Sequence, residues 1–307
     1  SVELTGDGGA AAVEDEFFRS AEFLAAEGAT HTLIVEDGDS RSAVPLIVRE
    51  IPGTGCLDAI SPYSYPGAAV RGEPIDPATA GLSGSGLVSV FVRDRLGEPR
   101  AFAGGNERTV VLVSDPSEAR KSRMSDRQQI RRNESAGYAP RVVAGPDSTP
   151  GDLERFHSAY TETMSVVDAA DRYFFDRDYF RTLLASPLSW LVEVAAPGGE
   201  VAAAALAVRS DGFLHYYLSG TADAHRPLAP SKNLIVAAND LADELGLPLN
   251  LGGGVRPGDG LEEFKRGFAN RELPYRTHEL VLDPGAYAEL SAGRDEASGF
   301  FPLYRAG

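Results

Sequence analysis

The sequence predicts an α/β (α+β) protein with two domains, each a mixed β-sheet flanked by helices. At 307 residues, the chain has the length of two domains of ordinary size. Helical and strand patterns follow one another in mixed order in both halves, which is typical of helices that cover a mixed sheet. The run GPDSTPG at residues 145–151 has the composition of a linker. We therefore place the first domain at residues 1–146 and the second at residues 147–283.

The first half opens with a helical pattern at residues 11–28, whose apolar residues share one side. Residues 77–91 fit a helix disturbed by Gly84 and Gly86, and a further helix is expected at residues 116–136. Strand patterns in this half are recognised by β-branched residues bounded by turn residues. They lie at residues 31–35, 43–49, 57–60, 107–113 and 141–143.

The second half has two helical patterns, then three strand patterns separated by Pro-Gly-Gly and Asp-Gly turns, and then alternating helices and strands. Gly246 stands where a helix is commonly closed by glycine. The expected helices are residues 152–164, 174–185, 231–245 and 261–268. The expected strands are residues 190–195, 201–208, 213–218, 247–251 and 277–282.

Composition narrows the class of protein. Apolar residues make up 43% of the chain and charged residues 24%, as in water-soluble globular proteins. No stretch approaches the roughly 18 apolar residues of a membrane helix, and the N-terminus lacks the pattern of a signal peptide. Cys56 is the single cysteine, so an intramolecular disulfide is impossible. We expect a cytoplasmic monomer without integral membrane association and without a metal site.

The chain is acidic overall but contains one basic segment. The net charge of −16 argues against general DNA binding. Between Arg120 and Arg132, however, six basic residues stand against one acid, Asp126, which gives +5. This segment is the candidate for binding RNA or a pyrophosphate. A solvated face with structural ion pairs is the alternative. The candidate residues are Arg123, Arg127, Arg131 and Arg132.

A glycine turn followed by a lysine is the strongest local signal. Gly252, Gly253 and Gly254 follow an apolar strand, and a helix carrying Phe264 and Lys265 comes next. Glycines allow the backbone to turn sharply or to approach a ligand. The segment matches neither a Walker A loop nor G-x-G-x-x-G, so a nucleotide site is rejected. The combination indicates an acyl- or aminoacyl-transfer site.

Five segments in this order resemble the FemAB-like aminoacyltransferases, the peptidoglycan-bridge enzymes built from two GNAT-like domains. LGGGVRPGDGLEEFKRGFA at residues 251–269 is the strongest of these matches. The helical-arm insertion of some family members is absent, so the chain resembles a short form. The other four segments are SPYSYPGAA at 61–69, DRQQIRRNESAGY at 126–138, FHSAYTETMSVVDAADRYFF at 156–175 and LSGTADAHRPLAPSKNLI at 218–235.

The resemblance implies two tandem GNAT-like domains, with the segment at about 284–307 packed back on the first. It implies an enzyme that transfers an aminoacyl group from aminoacyl-tRNA to an amine acceptor, with no cofactor. The acceptor would be a cell-wall precursor peptide or a small-molecule natural-product intermediate. Lys265 matches the lysine of the family's FK motif and is the candidate catalytic residue, near the donor ester or an acceptor phosphate. The alternative to a catalytic role is that Lys265 is an ordinary solvated lysine on the helix surface.

Further candidates for substrate binding lie on loops and strands. Tyr63 and Tyr65 resemble one wall of the acceptor pocket, although a purely structural loop fits as well. Arg226 and Lys232 flank a strand-to-helix turn that resembles the GNAT pyrophosphate loop. Ala229 and Ser231 replace its glycines, which weakens a CoA site. The remaining substrate-binding candidates are the three glycines Gly252, Gly253 and Gly254, with Phe264 and Tyr217.

Two other functions stay open. One is an N-acyltransferase of the same fold that uses an acyl-CoA donor. The other is a non-catalytic binding protein. His215 lies in a strand pattern and is expected to be a core histidine rather than a base. Because no Ser/His/Asp or Cys/His arrangement is recognisable, we expect direct attack of the amine without a covalent enzyme intermediate.

Overall fold

The computed structural model describes residues 1–254, 256, 258–295, 297 and 299–306. Its α-helices are α1 (Ala21–Ala26), α2 (Met124–Ser135), α3 (Pro150–Val166), α4 (Arg177–Leu184), α5 (Ser231–Glu244), α6 (Gly260–Arg266) and α7 (Pro284–Ser291). Its strands are β1 (Val2–Thr5), β2 (His31–Asp37), β3 (Ser40–Glu50), β4 (Leu57–Ile60), β5 (Ala69–Arg71), β6 (Ser89–Arg93), β7 (Asn106–Ser114), β8 (Ala139–Ala144), β9 (Ser189–Ala195), β10 (Val201–Ser210), β11 (Phe213–Thr221), β12 (Leu249–Gly252) and β13 (Arg271–Val281).

The chain forms two compact units. The first unit combines Ser1–Thr109 with the chain from Pro274 onward, and the second unit is Val110–Leu273. The boundary expected at residue 146 therefore lies inside the second unit. The reason is that β8, which precedes it, pairs with β9 along six residues. The linker-like run after β8 forms a 3-10 turn and the N-terminal cap of α3.

The first unit has a mixed sheet in the strand order β1-β2-β3-β4-β6-β13, with β5 on β3. Neighbouring strands are antiparallel except β4 and β6, which are parallel. Its core includes Leu33, Val90 and Phe102, all with no exposed surface. Helix α7 and Tyr304 pack with Val88 in the same unit, so the C-terminal segment returns to the unit in which the chain began.

The second unit has the strand order β7-β12-β11-β10-β9-β8. Helix α5 covers one face and contributes apolar residues to a core shared with β9 and β10. Successive strand residues point to opposite faces. Tyr216 accordingly packs with this core, whereas Tyr217 contacts Tyr179 of α4. Helix α3 packs on β10 and β11. The expected α/β class, with mixed sheets flanked by helices, is confirmed.

Helical patterns in the first half overstate the helices. Residues 11–28 contain only a 3-10 turn, Phe17–Arg19, and the short α1. The Ser20 hydroxyl accepts a hydrogen bond from the amide of Phe23 and so begins the helix there. The Phe rings are nonetheless buried, as their spacing predicted.

The helix expected at residues 77–91 is wrong. The end of that segment enters β6, which pairs with both β4 and β13. Gly81 and Gly86 have φ values of +68° and +76°, which interrupt a right-handed helix on either side of a 3-10 turn. Backbone pairing in the sheet therefore overrides the local helical pattern.

The helix expected at residues 116–136 begins late, at Met124. Asp115 holds the residues that precede this helix in a non-helical conformation, because its carboxylate accepts hydrogen bonds from the amide and hydroxyl of Ser117. The Asn270 side chain also donates to the Asp115 carbonyl. These side-chain bonds compete with helix formation. Separately, no helix in the described part of the chain has the length and apolar character required to cross a bilayer.

Candidate active site

The candidate active site lies in the second unit, where β12 ends. Gly252 closes the strand with a φ of +74°, a left-handed conformation that glycine adopts without strain. Lys265 reaches back from α6, and its Nζ donates a hydrogen bond of 2.8 Å to the carbonyl oxygen of Gly253. A Cβ on Gly252 would lie 3.3 Å from Lys265 Nζ. The lysine therefore lies beside the glycine turn, as the spacing predicted.

The environment of Lys265 changes its titration. Burial lowers the pKa of Lys265 to about 8, and the negative charge of Asp259 opposes this shift in part. Removing a cation from water favours its neutral form, which is the physical cause of the lowered pKa. Lys265 is consequently protonated for the most part at neutral pH, and it loses its charge as the pH rises through about 8.

The start of α6 is built around carboxylates. Asp259 caps the helix, and its Oδ1 accepts a hydrogen bond of 2.8 Å from the amide of Glu262. Glu262 in turn accepts a hydrogen bond from the amide of Gly258 and forms an ion pair with Arg266 at 2.6 Å. These contacts fix the helix from which Lys265 projects.

The two parallel strands at the site separate quickly. β11 and β12 pair only at Leu214–Leu249 and His215–Asn250. β12 ends at Gly252, whereas β11 continues to Thr221. The glycine turn that Lys265 contacts is thus placed where the two strands separate. An opening between strands is a usual location for a ligand site in α/β proteins.

His215 and Asn250 lie where β11 and β12 are still paired. The Asn250 side chain lies 3.0 Å from His215 Nδ1 and accepts a hydrogen bond from the amide of Gly252. His215 Nε2 lies 3.0 Å from the Ser210 carbonyl oxygen, and the ring is buried. His215 is therefore a core residue with hydrogen-bond partners, in agreement with its position in a strand.

Two backbone amides of the turn before α5 already have hydrogen-bond partners within the turn. Ala229 has a φ of +45° at a position where glycine was expected. Its amide donates to the carbonyl of Arg226, and the amide of Lys232 donates to the carbonyl of Ala229. Pro230 has no N–H. The amides of Ala229 and Lys232, which would face a pyrophosphate in this type of loop, are used inside the turn.

The cations of that turn are paired as well. Arg226 donates to Asp223 at 2.6 Å and to the Thr221 carbonyl. Lys232 forms a 2.9 Å ion pair with the buried Asp126 of α2. A shallow depression of about 450 Å³ lies beside Arg226 and is also lined by Val166, Asp223 and Pro227. Phosphate binding by Arg226 and Lys232 stays a prediction, and it would compete with these carboxylates.

The basic segment divides into engaged and available residues. Arg123 donates to the Glu263 carbonyl and carboxylate, and Arg127 donates to Ser122. Arg131 and Arg132 are exposed, and neither has an ion-pair partner among the described residues. Asp126 points inward, so the segment presents its cations outward without its acid. A phosphate-binding role for the segment stays a prediction.

Tyr63 and Tyr65 belong to the first unit. Tyr63 is 38% exposed, and its amide donates to Glu27. The ring of Tyr65 packs edge-on against Tyr275, whose hydroxyl donates to the carbonyl of Ser64 at 2.8 Å. The loop is thus held by packing, and its assignment to an acceptor pocket stays a prediction.

Two other candidates have structural contacts. The Tyr217 hydroxyl lies 3.3 Å from that of Tyr179. Phe264 packs against the core and against Phe268, with ring centroids 5.6 Å apart. In the described residues, no three His, Cys, Asp or Glu side chains are grouped as metal ligands.

Sequence patterns did not indicate Asp259, Asn250 or the buried partner of Lys232. One compositional signal was available: the chain has 29 basic residues, of which only Lys121, Lys232 and Lys265 are lysine. Arginine stays charged in proteins, whereas lysine can change its pKa when it is buried. A lysine next to a glycine turn in such a chain is therefore conspicuous.

Comparisons with known proteins agree on the fold. No curated protein sequence matches the chain significantly. The family model described as "Acetyltransferase (GNAT) domain" matches residues 120–266, which lie inside the second unit. The crystal structure of FemX is similar with a TM-score of 0.61 and 11% identity, and the match covers 84% of this chain and 89% of FemX.

Two further solved structures are similar over most of their length. L-PGS from Bacillus licheniformis has a TM-score of 0.55 and 14% identity, covering 82% of this chain and 84% of that chain. The C-terminal domain of a putative lysylphosphatidylglycerol synthetase from Agrobacterium fabrum has a TM-score of 0.54 and 14% identity, covering 89% of each chain. The chain therefore shares the fold of these structures over most of its length, and residues 120–266 match a GNAT domain, in agreement with the GNAT-like fold expected from its motifs.

Proposed function

We propose that the chain is an aminoacyltransferase that moves an aminoacyl group from aminoacyl-tRNA to an amine acceptor and so forms an amide. The observation that carries the proposal is the Lys265 ammonium, held at the Gly253 carbonyl where β11 and β12 separate. Such a cation, fixed before the reaction and partly removed from water, stabilises negative charge more strongly than one in solution.

In the proposed reaction, the neutral amine attacks the carbonyl carbon of the ester. A C–N bond forms, the C–O bond to the tRNA ribose breaks, and the amine proton passes to the departing ribose oxygen. Negative charge develops on the carbonyl oxygen before that bond breaks. An ammonium has three N–H donors, and the bond to Gly253 uses one of them. The role of Lys265 is to donate another to the developing oxyanion.

The structure around Ala229 favours tRNA over CoA as donor. The amides of Ala229 and Lys232 already donate inside the turn, which leaves a pyrophosphate fewer partners there. Arg131 and Arg132 offer exposed cations for tRNA phosphates instead. A tRNA-dependent enzyme would act in the cytoplasm, where charged tRNA is available. The acetyltransferase description of the matching family favours the second candidate, an acyl-CoA-dependent N-acyltransferase.

Donor choice is the test. The purified protein is incubated with charged tRNAs, each amino acid radiolabelled in turn, and with fractionated small molecules and wall-precursor peptides as acceptors. A parallel series contains acetyl-CoA and longer acyl-CoAs. We expect label to move from one charged tRNA into an acceptor fraction that also identifies the acceptor class. Transfer from CoA thioesters alone would replace this proposal with the second candidate. No transfer in either series would favour a non-catalytic binding protein.

The basic segment provides a second readout of the donor. Reversing the charge of Arg131 and Arg132 to Glu should weaken binding of charged tRNA and reduce its dependence on salt, because fewer counterions are released. Arg181→Glu on α4 is the matched control, since Arg181 is an exposed arginine outside the basic segment. Equal tRNA affinity of the double variant and the control would remove the segment from the donor site.

A further inference from the structure

We propose that Asp259 is the positioning residue of the candidate site: its carboxylate holds the turn that presents the Gly253 carbonyl to Lys265, and it compensates the partly buried ammonium. The inference deepens the proposed function and rests on it for the catalytic meaning of Lys265. Asp259 itself has no part in the transfer chemistry. It acts through the lysine and through the backbone of the turn.

The Asp259 carboxylate binds both ends of a short segment. Its Oδ1 accepts from the amide of Glu262 at 2.8 Å, and its Oδ2 accepts from the amide of Arg256 at 2.8 Å. The amide of Asp259 also donates to the Arg256 carbonyl. One side chain thereby ties the first turn of α6 to the backbone of Arg256.

Gly254 is required by this arrangement. A Cβ at residue 254 would lie 2.4 Å from Asp259 Oδ1 and 2.9 Å from its Cγ. No side chain fits there unless the carboxylate or the loop moves. Gly260, at the start of α6, is different, because a Cβ there meets nothing within 4 Å. The third glycine of the motif is thus explained by the position of Asp259 rather than by the turn alone.

Charge supports the same assignment. Asp259 is the group that opposes the effect of burial on the pKa of Lys265. Among the other charged groups around α6, Arg256 is exposed, and the following are engaged with one another. Glu262 and Glu272 pair with Arg266, Glu263 pairs with Arg123, and Asp126, which lies near Gly267, pairs with Lys232.

The test measures Lys265 directly. Because the chain has three lysines, protein labelled with ¹³C at lysine Cε gives three side-chain signals, and the Lys265→Arg variant assigns the one of interest. Each signal is followed against pH in the intact protein. We expect the Lys265 signal to titrate near pH 8. In Asp259→Asn the midpoint should fall by about one unit, the usual size of a nearby opposite charge.

Matched variants separate charge from fold. Asparagine caps helices as well as aspartate does, so Asp259→Asn should stay folded. Its NH2 group cannot accept from the Arg256 amide, so the variant removes that bond together with the charge. Asp283→Asn changes the cap of α7 in the other unit and should leave the Lys265 midpoint unchanged. Gly254→Ala should move the midpoint in the same direction as Asp259→Asn by displacing the carboxylate, whereas Gly260→Ala should not.

The inference is overturned if Lys265 titrates identically in folded Asp259→Asn and in the parent protein. It is also overturned if Gly254→Ala and Gly260→Ala give the same midpoint. Neither readout needs a substrate. If the protein transfers nothing from any donor, the proposed function is refuted and the role of Asp259 stands. If the protein is active but the Lys265 midpoint does not move in Asp259→Asn, the role of Asp259 is refuted and the proposed function stands.

Discussion

At the scale of the residue, Lys265 combines two opposing properties. Its ammonium is partly withdrawn from water, which costs free energy, and it is held by a single hydrogen bond to Gly253. A residue selected for stability would not place a cation there. Residues that act in catalysis commonly have perturbed pKa values because their surroundings are arranged for the reaction. Transfer should therefore fall above about pH 8, where the ammonium is lost.

We predict that Lys265→Met lowers kcat/KM for transfer by about 100-fold, the usual effect of removing one group that stabilises an oxyanion. The free energy of unfolding should stay the same or rise by about 1 kcal/mol, since a methionine has no charge to desolvate. Initial rates and urea unfolding measure the two quantities.

Lys232→Met is the matched comparison for stability. It removes the partner of the buried Asp126, so it should destabilise the protein by about 2 kcal/mol or more. A Lys265→Met variant that is as unstable as Lys232→Met would mean that Lys265 is a structural residue.

At the scale of the element, several side chains bond the N-terminus of α3. Asp152 accepts hydrogen bonds from the Thr149 amide and hydroxyl, which completes a capping box. Its other oxygen accepts from Arg141 and Arg155. The hydrogen bond from Arg141 is the largest cause that holds the pKa of Asp152 well below its usual range. The linker-like run at residues 145–151 is therefore a structured connection between β8 and α3.

We predict that Asp152→Asn destabilises the second unit by about 3 kcal/mol at pH 7, because two arginines lose a buried partner. Since the folded pKa is lowered, the stabilisation is present above the ordinary carboxylate pKa of about 4 and is lost as the pH falls below it. The difference between variant and parent should thus shrink below pH 4. Unfolding in urea at a series of pH values measures it.

Asp178→Asn serves as the control for this pH series. Asp178 is 82% exposed and pairs with Arg181 within α4, so its replacement should change stability by less than about 0.5 kcal/mol at any pH. A pH-independent difference between Asp152→Asn and the parent would contradict the assignment of the effect to the carboxylate charge.

At the scale of the whole molecule, the chain closes its first unit with its last residues. Asp58 of β4 has no exposed surface. Its carboxylate accepts hydrogen bonds from two of the three guanidinium nitrogens of Arg305, from Arg49 Nε and from the Tyr304 hydroxyl. Tyr304 also lies 2.7 Å from the hydroxyl of Ser89. The first unit therefore joins Asp58 and Ser89 to Tyr304 and Arg305, which lie more than 200 residues later in the chain.

We predict that Arg305→Met lowers the stability of the first unit by about 2 kcal/mol, because Arg49 is then the one charged partner left to Asp58 among the described residues. Hydrogen exchange of β4 and β6 amides measures the unit separately. Arg294→Met is the control, since Arg294 is exposed and donates to the Ala306 carbonyl. Equal protection of β4 in both variants would contradict a role of the C-terminal contact in closing the unit.

The sequence by itself determined the fold class, most of the second-unit elements and the Gly252–Lys265 pairing. These depend on local patterns: apolar periodicity, glycines after a strand, and a lysine at a fixed offset on the next helix. It misplaced the unit boundary and the helices at residues 77–91 and 116–123. There, strand pairing by β6 and β8 and the side-chain bonds of Asp115 overrode the local signal.

Tertiary structure alone decided which charges are available. The sequence placed Arg123, Arg127 and Arg131 in one basic segment. In the structure, Glu263 engages Arg123, and Asp126 turns inward to Lys232. Likewise, the positioning role of Asp259 is inferred from its contacts with Gly254 and with the first turn of α6, which the sequence does not show. Ion pairs and burial join residues far apart in the chain, and no local pattern records them. For that reason the sequence indicated the lysine, and only the fold identified what surrounds it.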